Sequence, residues 1–437
     1  MTTIAIRRED KNVWERRTPI TPADAEKLLK DLIADKIIVQ PSEIRAFNDG
    51  EYRKVGCTVQ ESMSPASIVF AVKEIPINLI EANKTYVFFS HVIKCQEHNM
   101  PMLKKLMDSR CTLIDYEKVV NEKGLRLIFF GFYAGLSGMI NTLAALGKRL
   151  HLEGIENPFL RIKQAHEYEN LDVAKKKIKE IGEEIKENGL GLPEQLLPLT
   201  FGFAGYGNVS RGAQEILGLL PVKEIYPSEL LNLSERDSRI IYKVVFKEEH
   251  MVKPKLNGSK FELQDYYNHP EKYGPQFGQY VPHLTVIMNC IYWDKMYPRL
   301  VTKKQLKELF TAGESPKIKV IGDISCDHEG AIEANIRTTD PGDPVFVYDP
   351  VKNEAILGHE GNGPVIMAVD NLPCETPIDS SRFFSGTLMP FLPSIVRADY
   401  TRKNFNDLNL PPEIKKAVIL YQGEFTPDYR YLEKCFE

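Results

Sequence analysis

Along this chain, short apolar runs alternate with stretches in which apolar residues recur every three or four positions. Over residues 3–131 the runs TIAIRR, KIIVQPS, SIVFAVKE, TYVFFSHVIK, TLIDYEKV and RLIFFGF are brief, nearly continuous and rich in β-branched and aromatic residues. That is the pattern of strands covered on both faces. Between them, TPADAEKLLKDLIADK opens on Thr21 and Pro22, a helix cap and a first helical position, and EHNMPMLKKLMDSR follows the TYVFFSHVIK run. Strand and helix in alternation predict an α/β layer domain.

GFYAGLSGMINTLAALGKRL is apolar with small residues on several faces, which predicts a buried helix crossing from one domain to the next. Residues 172–188 place Val173, Ile178, Ile181 and Ile185 among mixed charges before Gly189, the pattern of an amphipathic surface helix with its stop. A second domain opens at LTFGFAGYG and continues through HLTVIMNCIYWD and IKVIGDIS. The Pro-, Tyr- and charge-rich stretch from about 227 to 282 reads as an insertion near the site. After NGPVIMAVDNLPCETP the helical runs SSRFFSGTLMPFLPSIV and PPEIKKAVILY lead back to the first domain. The expectation is an α/β protein of two Rossmann-like domains with parallel sheets and the active site in the cleft between them. The first domain takes residues 1–131 and 371–437, and the second 132–370.

Composition narrows the partners. A length of 437 residues suits two domains, and a net charge of −4 supplies no basic field for nucleic acid or an anionic membrane. No apolar run approaches the roughly 20 residues of a membrane span. MTTIAIRREDKNVWERR enters a strand almost at once with no leader pattern, so the expected location is the cytoplasm. The seven cysteines, at 57, 95, 111, 290, 326, 374 and 435, form no close pairs, which predicts reduced thiols without disulfides. His91, Cys95 and His98 have no second pair to complete a tetrahedral site, so no metal is expected.

The chemistry sits at strand ends. Lys73 closes the run ending VFAV and His91 the run ending VFFS, positions from which side chains converge in the crevice of a parallel sheet. Both are groups that burial and neighbouring charge tune for proton transfer. Arg16, Arg17, Arg126 and Gln96 form a second layer, whose guanidinium forks suit a dicarboxylate. Asp323 and Ser325 end the IKVIGDIS run as further candidates. Gly205-Tyr206-Gly207-Asn208-Val209-Ser210 lies between a strand and a helix-like run, the context of a dinucleotide loop, with Ser210 in place of the third glycine. In NAD sites an acidic residue about 20 positions on, at the end of the second strand, takes the ribose 2′-hydroxyl. Here KEIYPSEL puts Tyr226 and Pro227 at that end, with Glu224 before and Glu229 after, while Arg211 is a candidate grip on a 2′-phosphate. NADP is therefore expected over NAD, with Glu224 or Glu229 as the alternative acidic partner.

RREDKNVWERRTPITP, FFSHVIKCQEHNMPML, LIDYEKVVNEKG, GFYAGLSGMIN, LTFGFAGYGNVSRGAQ, IYWDKMYPRL, GDISCDHEGAIE and VDNLPCETPIDSS together resemble the lysine-ketoglutarate reductase half of bifunctional aminoadipic semialdehyde synthases. The chain is similar, more distantly, to fungal lysine-forming saccharopine dehydrogenases, and through its N-terminal domain to alanine dehydrogenase and transhydrogenase. The resemblance implies condensation of L-lysine with 2-oxoglutarate and reduction to saccharopine, by NADPH in the bifunctional enzymes and NADH in the fungal ones. It implies Lys73 and His91 as the acid/base pair, and Arg17, Gln96, Arg126 and Phe130 as substrate contacts. Gly205, Gly207, Asn208 and Val209 would form the pyrophosphate loop. Asp323, Ile324, Ser325 and the stretch Val369, Asp370 to Leu372 would lie where nicotinamide and substrate meet. The bifunctional relatives continue into a saccharopine-splitting half, so this chain is expected to make saccharopine without splitting it. A homo-oligomer is also expected.

Overall fold

The computed structural model describes residues 2–313 and 316–436, and the chain divides into two compact units. The first comprises Met1–Phe130 with Pro377–Glu437, and the second Gly131–Thr376. Both are α/β.

In the first unit, β1 (Thr3–Ile6), β2 (Lys36–Val39), β3 (Thr58–Val59), β4 (Ile68–Phe70), β5 (Thr85–Phe88) and β6 (Thr112–Asp115) form a parallel sheet in the order β3-β2-β1-β4-β5-β6. The strand Val418–Tyr421 extends it antiparallel beside β6. Ile4, Ile38, Val69, Val87 and Ile114 are buried, as strands covered on both faces require. Strand order reverses between β1 and β4, so the segments after these two strands open a crevice at the carboxyl edge.

In the second unit, β7 (Leu199–Ala204), β8 (Val222–Ile225), β9 (Ile241–Phe246), β12 (Val286–Asn289), β13 (Val320–Asp323) and β16 (Val365–Met367) make a parallel array in the order β8-β9-β7-β12-β13-β16. The strands β14 (Val345–Asp349) and β15 (Glu354–Leu357) continue it antiparallel, and β10 (Val252–Pro254) pairs with β11 (Tyr273–Pro275) in a separate ribbon. The stretch read from sequence as an insertion thus contains β9, an interior strand paired with β7 over its whole length.

The long helix Gly131–Leu152 does not cross between domains as its composition suggested. It lies wholly in the second unit, where Met139, Ile140, Leu143 and Leu146 join the core. It packs on the helix Asn208–Leu217 so closely that a methyl added at Gly135 would sit 2.0 Å from the carbonyl oxygen of Val209. Residues 371–376 also stay in this unit, where the Asn141 amide donates to Glu375 at 2.7 Å. The helix Leu171–Asn188 buries Ile178, Ile181 and Ile185 but leaves Val173 exposed.

The cysteines correct a second expectation. Cys95 and Cys435, 340 residues apart, form a disulfide with their Cα atoms 5.6 Å apart. Spacing along the chain gave no sign of it. The C-terminal segment Pro427–Phe436 reaches the loop after β5, where the Tyr431 hydroxyl also donates to the Ile93 carbonyl at 3.0 Å.

Candidate functional site

The first unit gathers its chemistry where the segments after β1, β4 and β5 meet. Glu9, Glu15 and Arg17 follow β1, Lys73 and Glu74 follow β4, and His91 follows β5. Burial, with the positive charges of Arg17 and Lys11, lowers the Lys73 ammonium pKa, while Glu15 and Glu74 oppose the shift. His91 bonds Glu74 Oε1 through Nδ1 at 2.6 Å, leaving Nε2 as the nitrogen to present. Its backbone φ of 49° lies in the left-handed region, a conformation that costs energy for a residue with a side chain and concentrates at functional sites. Burial works against the Glu74 carboxylate, but the hydrogen bond and charge of His91 prevail and hold its pKa down at about 2.

Arg17 is buried with its fork on Glu15, Nε to Oε1 at 2.7 Å and Nη2 to Oε2 at 2.6 Å. Its guanidinium lies 4.3 Å from the centre of the Phe130 ring, which stacks in turn on Phe384. Lys73, His91, Arg17 and Phe130 therefore belong to one neighbourhood. Gln96 stays in the loop after β5, where its Oε1 accepts the Lys94 N–H at 3.2 Å. Arg126 is exposed and paired with Glu117, just beyond β6. Arg16 is exposed and donates to the Ile44 carbonyl.

Two buried carboxyls in this neighbourhood had no sequence signal beyond lying near the strand ends. Glu9 accepts the backbone N–H of Val72 at 2.6 Å and of Lys73 at 2.9 Å, fastening the segment that carries Lys73. Burial and the charge of Glu15 push its pKa up to about 7. Asp115 accepts from Ser90 and from the Glu117 N–H, and burial raises its pKa to about 6. Glu74 stands beside Lys73 in the sequence, and that adjacency was the one legible hint of a partner for the histidine.

These shifts have a consequence for stability. A carboxyl whose pKa is raised on folding contributes stability that is complete below its unfolded value, near 4.5 for Glu9, and lost as pH rises through 7. The lowered pKa of Glu74 acts oppositely, with a contribution present above about 4.5 and lost as pH falls toward 2. Glu9→Gln, uncharged at every pH, is expected to flatten the decline in unfolding midpoint between pH 4.5 and 7. Midpoints measured by urea denaturation across that window give the slope. A slope equal to the parent's would remove Glu9 from the account.

The second unit holds the glycine loop. Gly205 at φ +94° makes the turn out of β7 and donates its N–H to the Phe246 carbonyl at 3.0 Å. A methyl at Gly207 would meet nothing within 4 Å, so the loop leaves open space in front of the helix Asn208–Leu217, whose N-terminus carries no side-chain cap. Backbone N–H groups placed this way suit a pyrophosphate. Asn208 and Val209 begin the helix, and Arg211 on its exposed side donates to the Asn208 side chain.

Asp323, expected where nicotinamide and substrate meet, accepts hydrogen bonds from within its own unit. It is buried, and both its oxygens are occupied, by the Asn289 amide at 2.8 Å, the Asn335 amide at 2.8 Å and the Cys326 N–H at 3.1 Å. The Ser325 hydroxyl donates to the Ile291 carbonyl. Ile324 and Leu372 pack at Gly138 of the long helix, Val369 is buried and Asp370 is exposed. The ribose position also moves. The parallel neighbour of β7 on that side is β9 rather than β8, so the end of β8 read from sequence lies one strand away from the loop.

A parallel α/β unit with an open glycine loop, and a second α/β unit with lysine, histidine and carboxylates gathered at its strand ends, make up the architecture on which dinucleotide-dependent oxidoreductases are built. The chain belongs to the alanine dehydrogenase/PNT family: residues 5–137 match the model of its N-terminal domain and residues 276–428 that of its C-terminal domain. It is 37% identical to the alpha-aminoadipic semialdehyde synthases of Bos taurus and Arabidopsis thaliana over 99% of its own length and 48% and 41% of theirs. The chain thus spans about half the length of these curated relatives. With the NAD(+), L-lysine-forming saccharopine dehydrogenase of Yarrowia lipolytica it shares 25% identity over 90% of its length and 92% of that protein. Among solved structures, an L-alanine dehydrogenase superposes with a TM-score of 0.63 at 15% identity, covering 100% of this chain and 99% of that one, a likeness of fold.

Proposed function

We propose that the chain condenses L-lysine with 2-oxoglutarate and reduces the resulting imine to saccharopine. The observation that carries this reading is the cluster in which Lys73 with its lowered pKa, His91 braced by Glu74, and a buried arginine meet at one crevice. Joining an amine to a ketone moves protons off nitrogen and onto a departing oxygen, and a lysine and a histidine at one crevice are side chains that can carry them. Lys73, with its ammonium form disfavoured by burial and positive neighbours, is suited to take the proton from the substrate ε-ammonium. His91, oriented through Nδ1, presents Nε2 toward the departing water. Arg17, buried with its fork on Glu15, adds positive charge that helps disfavour the Lys73 ammonium. The names and coverage of the relatives support the same reading.

The open space at Gly207 and the uncapped helix behind it fit a dinucleotide, with the backbone of Gly205 to Val209 holding its pyrophosphate. When bound, the nicotinamide supplies the hydride for the reduction. The resemblance implies NADPH, as in the bifunctional enzymes, or NADH, as in the fungal ones, and the choice falls to the residues that meet the adenosine ribose.

The test is oxidation of reduced dinucleotide followed at 340 nm with each substrate alone and with both. Oxidation is expected only when L-lysine and 2-oxoglutarate are present together. Binding of the dinucleotide with no such dependence would overturn the proposed reaction.

A further inference from the structure

We infer that Glu248 selects the dinucleotide, and that it selects the form with a free 2′-hydroxyl on the adenosine ribose over the 2′-phosphorylated form. This deepens the proposed function and rests on its dinucleotide half alone.

The order of the sheet carries the inference. In a Rossmann unit the ribose is met by the residue just beyond the strand that lies beside the glycine-loop strand. Chain order would make that strand β8, but here β9 is inserted between them. β9 runs parallel to β7 with Phe246 opposite Ala204, so the residues that leave the sheet together are Gly205-Tyr206 and Lys247-Glu248. The pairing continues past the sheet, since the Tyr206 hydroxyl donates to Glu248 Oε2 at 3.2 Å.

Glu248 and the loop glycines Gly205 and Gly207 line one cavity of about 400 Å³, together with Ile291 after β12. That is the volume beside the glycine loop where an adenosine would lie. The Glu248 carboxylate is half-buried and accepts a second hydrogen bond, from the Tyr267 hydroxyl at 2.7 Å, so two tyrosines fix its position. Each carboxylate oxygen has more than one lone-pair direction, and the pair is suited to accept from the two hydroxyls of an unmodified ribose.

A phosphate in place of the 2′-hydroxyl would bring close to two negative charges against this carboxylate, a repulsion that disfavours binding unless a cation intervenes. No lysine, arginine or histidine among the described residues lines the cavity. The acidic residues first considered for the ribose are engaged elsewhere: Glu224 pairs with Lys243 at 2.6 Å, and the Glu229 carboxylate accepts the Tyr226 N–H at 2.6 Å. The expectation of NADP rested on the end of β8, and the strand order transfers the decision to the end of β9.

The test is equilibrium binding of NADH and of NADPH to the full chain by nicotinamide fluorescence, with Glu248→Ser as the comparison. The parent is expected to bind NADH at least about tenfold more tightly. Glu248→Ser is expected to weaken NADH and bring the two affinities together. Tighter binding of NADPH by the parent overturns the inference with no variant needed. An unchanged ratio in a Glu248→Ser protein that melts like the parent overturns it too. Binding of neither dinucleotide overturns both this inference and the nicotinamide-dependent reaction. NADH preference without oxidation on adding L-lysine and 2-oxoglutarate overturns the reaction and leaves the assignment of Glu248 standing.

Discussion

Turnover of L-lysine with 2-oxoglutarate is expected to fall about 10²- to 10⁴-fold when His91 is replaced by glutamine, and by a similar factor in Lys73→Met. Glutamine keeps a hydrogen-bonding group near Glu74 but its amide does not take up or release a proton, so the loss isolates proton transfer from simple positioning. Dinucleotide affinity should hold in both variants, because the glycine loop and Glu248 belong to the other unit of the chain. The measurement pairs steady-state rates with fluorescence titration. Unaltered turnover in both variants would remove the strand-end pair from the mechanism, while loss of dinucleotide binding would show that the substitution had spread beyond its site.

The second large effect is on stability. Glu15 and Arg17 form a doubly hydrogen-bonded pair whose side chains are 0% and 1% exposed. Glu15→Gln removes the carboxylate on which the buried guanidinium is forked, at an expected cost of about 3–5 kcal/mol. The same change carries a signature that packing loss lacks. Glu15 holds the Lys73 ammonium pKa up and also raises the Glu9 pKa, so its neutralisation should lower both. The rate limb governed by Lys73 should move to lower pH as the urea midpoint falls. A lower midpoint with the pH profile unmoved would mean that Glu15 supports the fold without tuning the site.

Much of this was legible because the relevant information is local. Near-continuous apolar runs ending in Lys73 and His91 mark strands that finish at a crevice, and the glycine loop announces itself by what precedes and follows it. The misreadings share a different cause. That β9 displaces β8 beside β7 is decided by pairing between strands about 40 residues apart, and the run IIYKVVF was hidden in a polar stretch taken for an insertion. Asp323 illustrates the same limit. A strand-end carboxylate looks available for chemistry until Asn289 and Asn335, from two other segments, are seen to occupy it. Glu9 reaches the backbone of Val72 and Lys73 across 63 and 64 residues, a bond that no spacing rule anticipates.

The bond between Cys95 and Cys435 turns the polypeptide between them into a covalent ring, and the whole of Gly131–Thr376 is threaded within it. A single protease cut anywhere in that unit opens the ring without releasing a fragment. The nicked protein would migrate as one species until a thiol reductant is added and as two afterwards. Cleavage that looks silent on a non-reducing gel can therefore already have severed the chain beside the glycine loop.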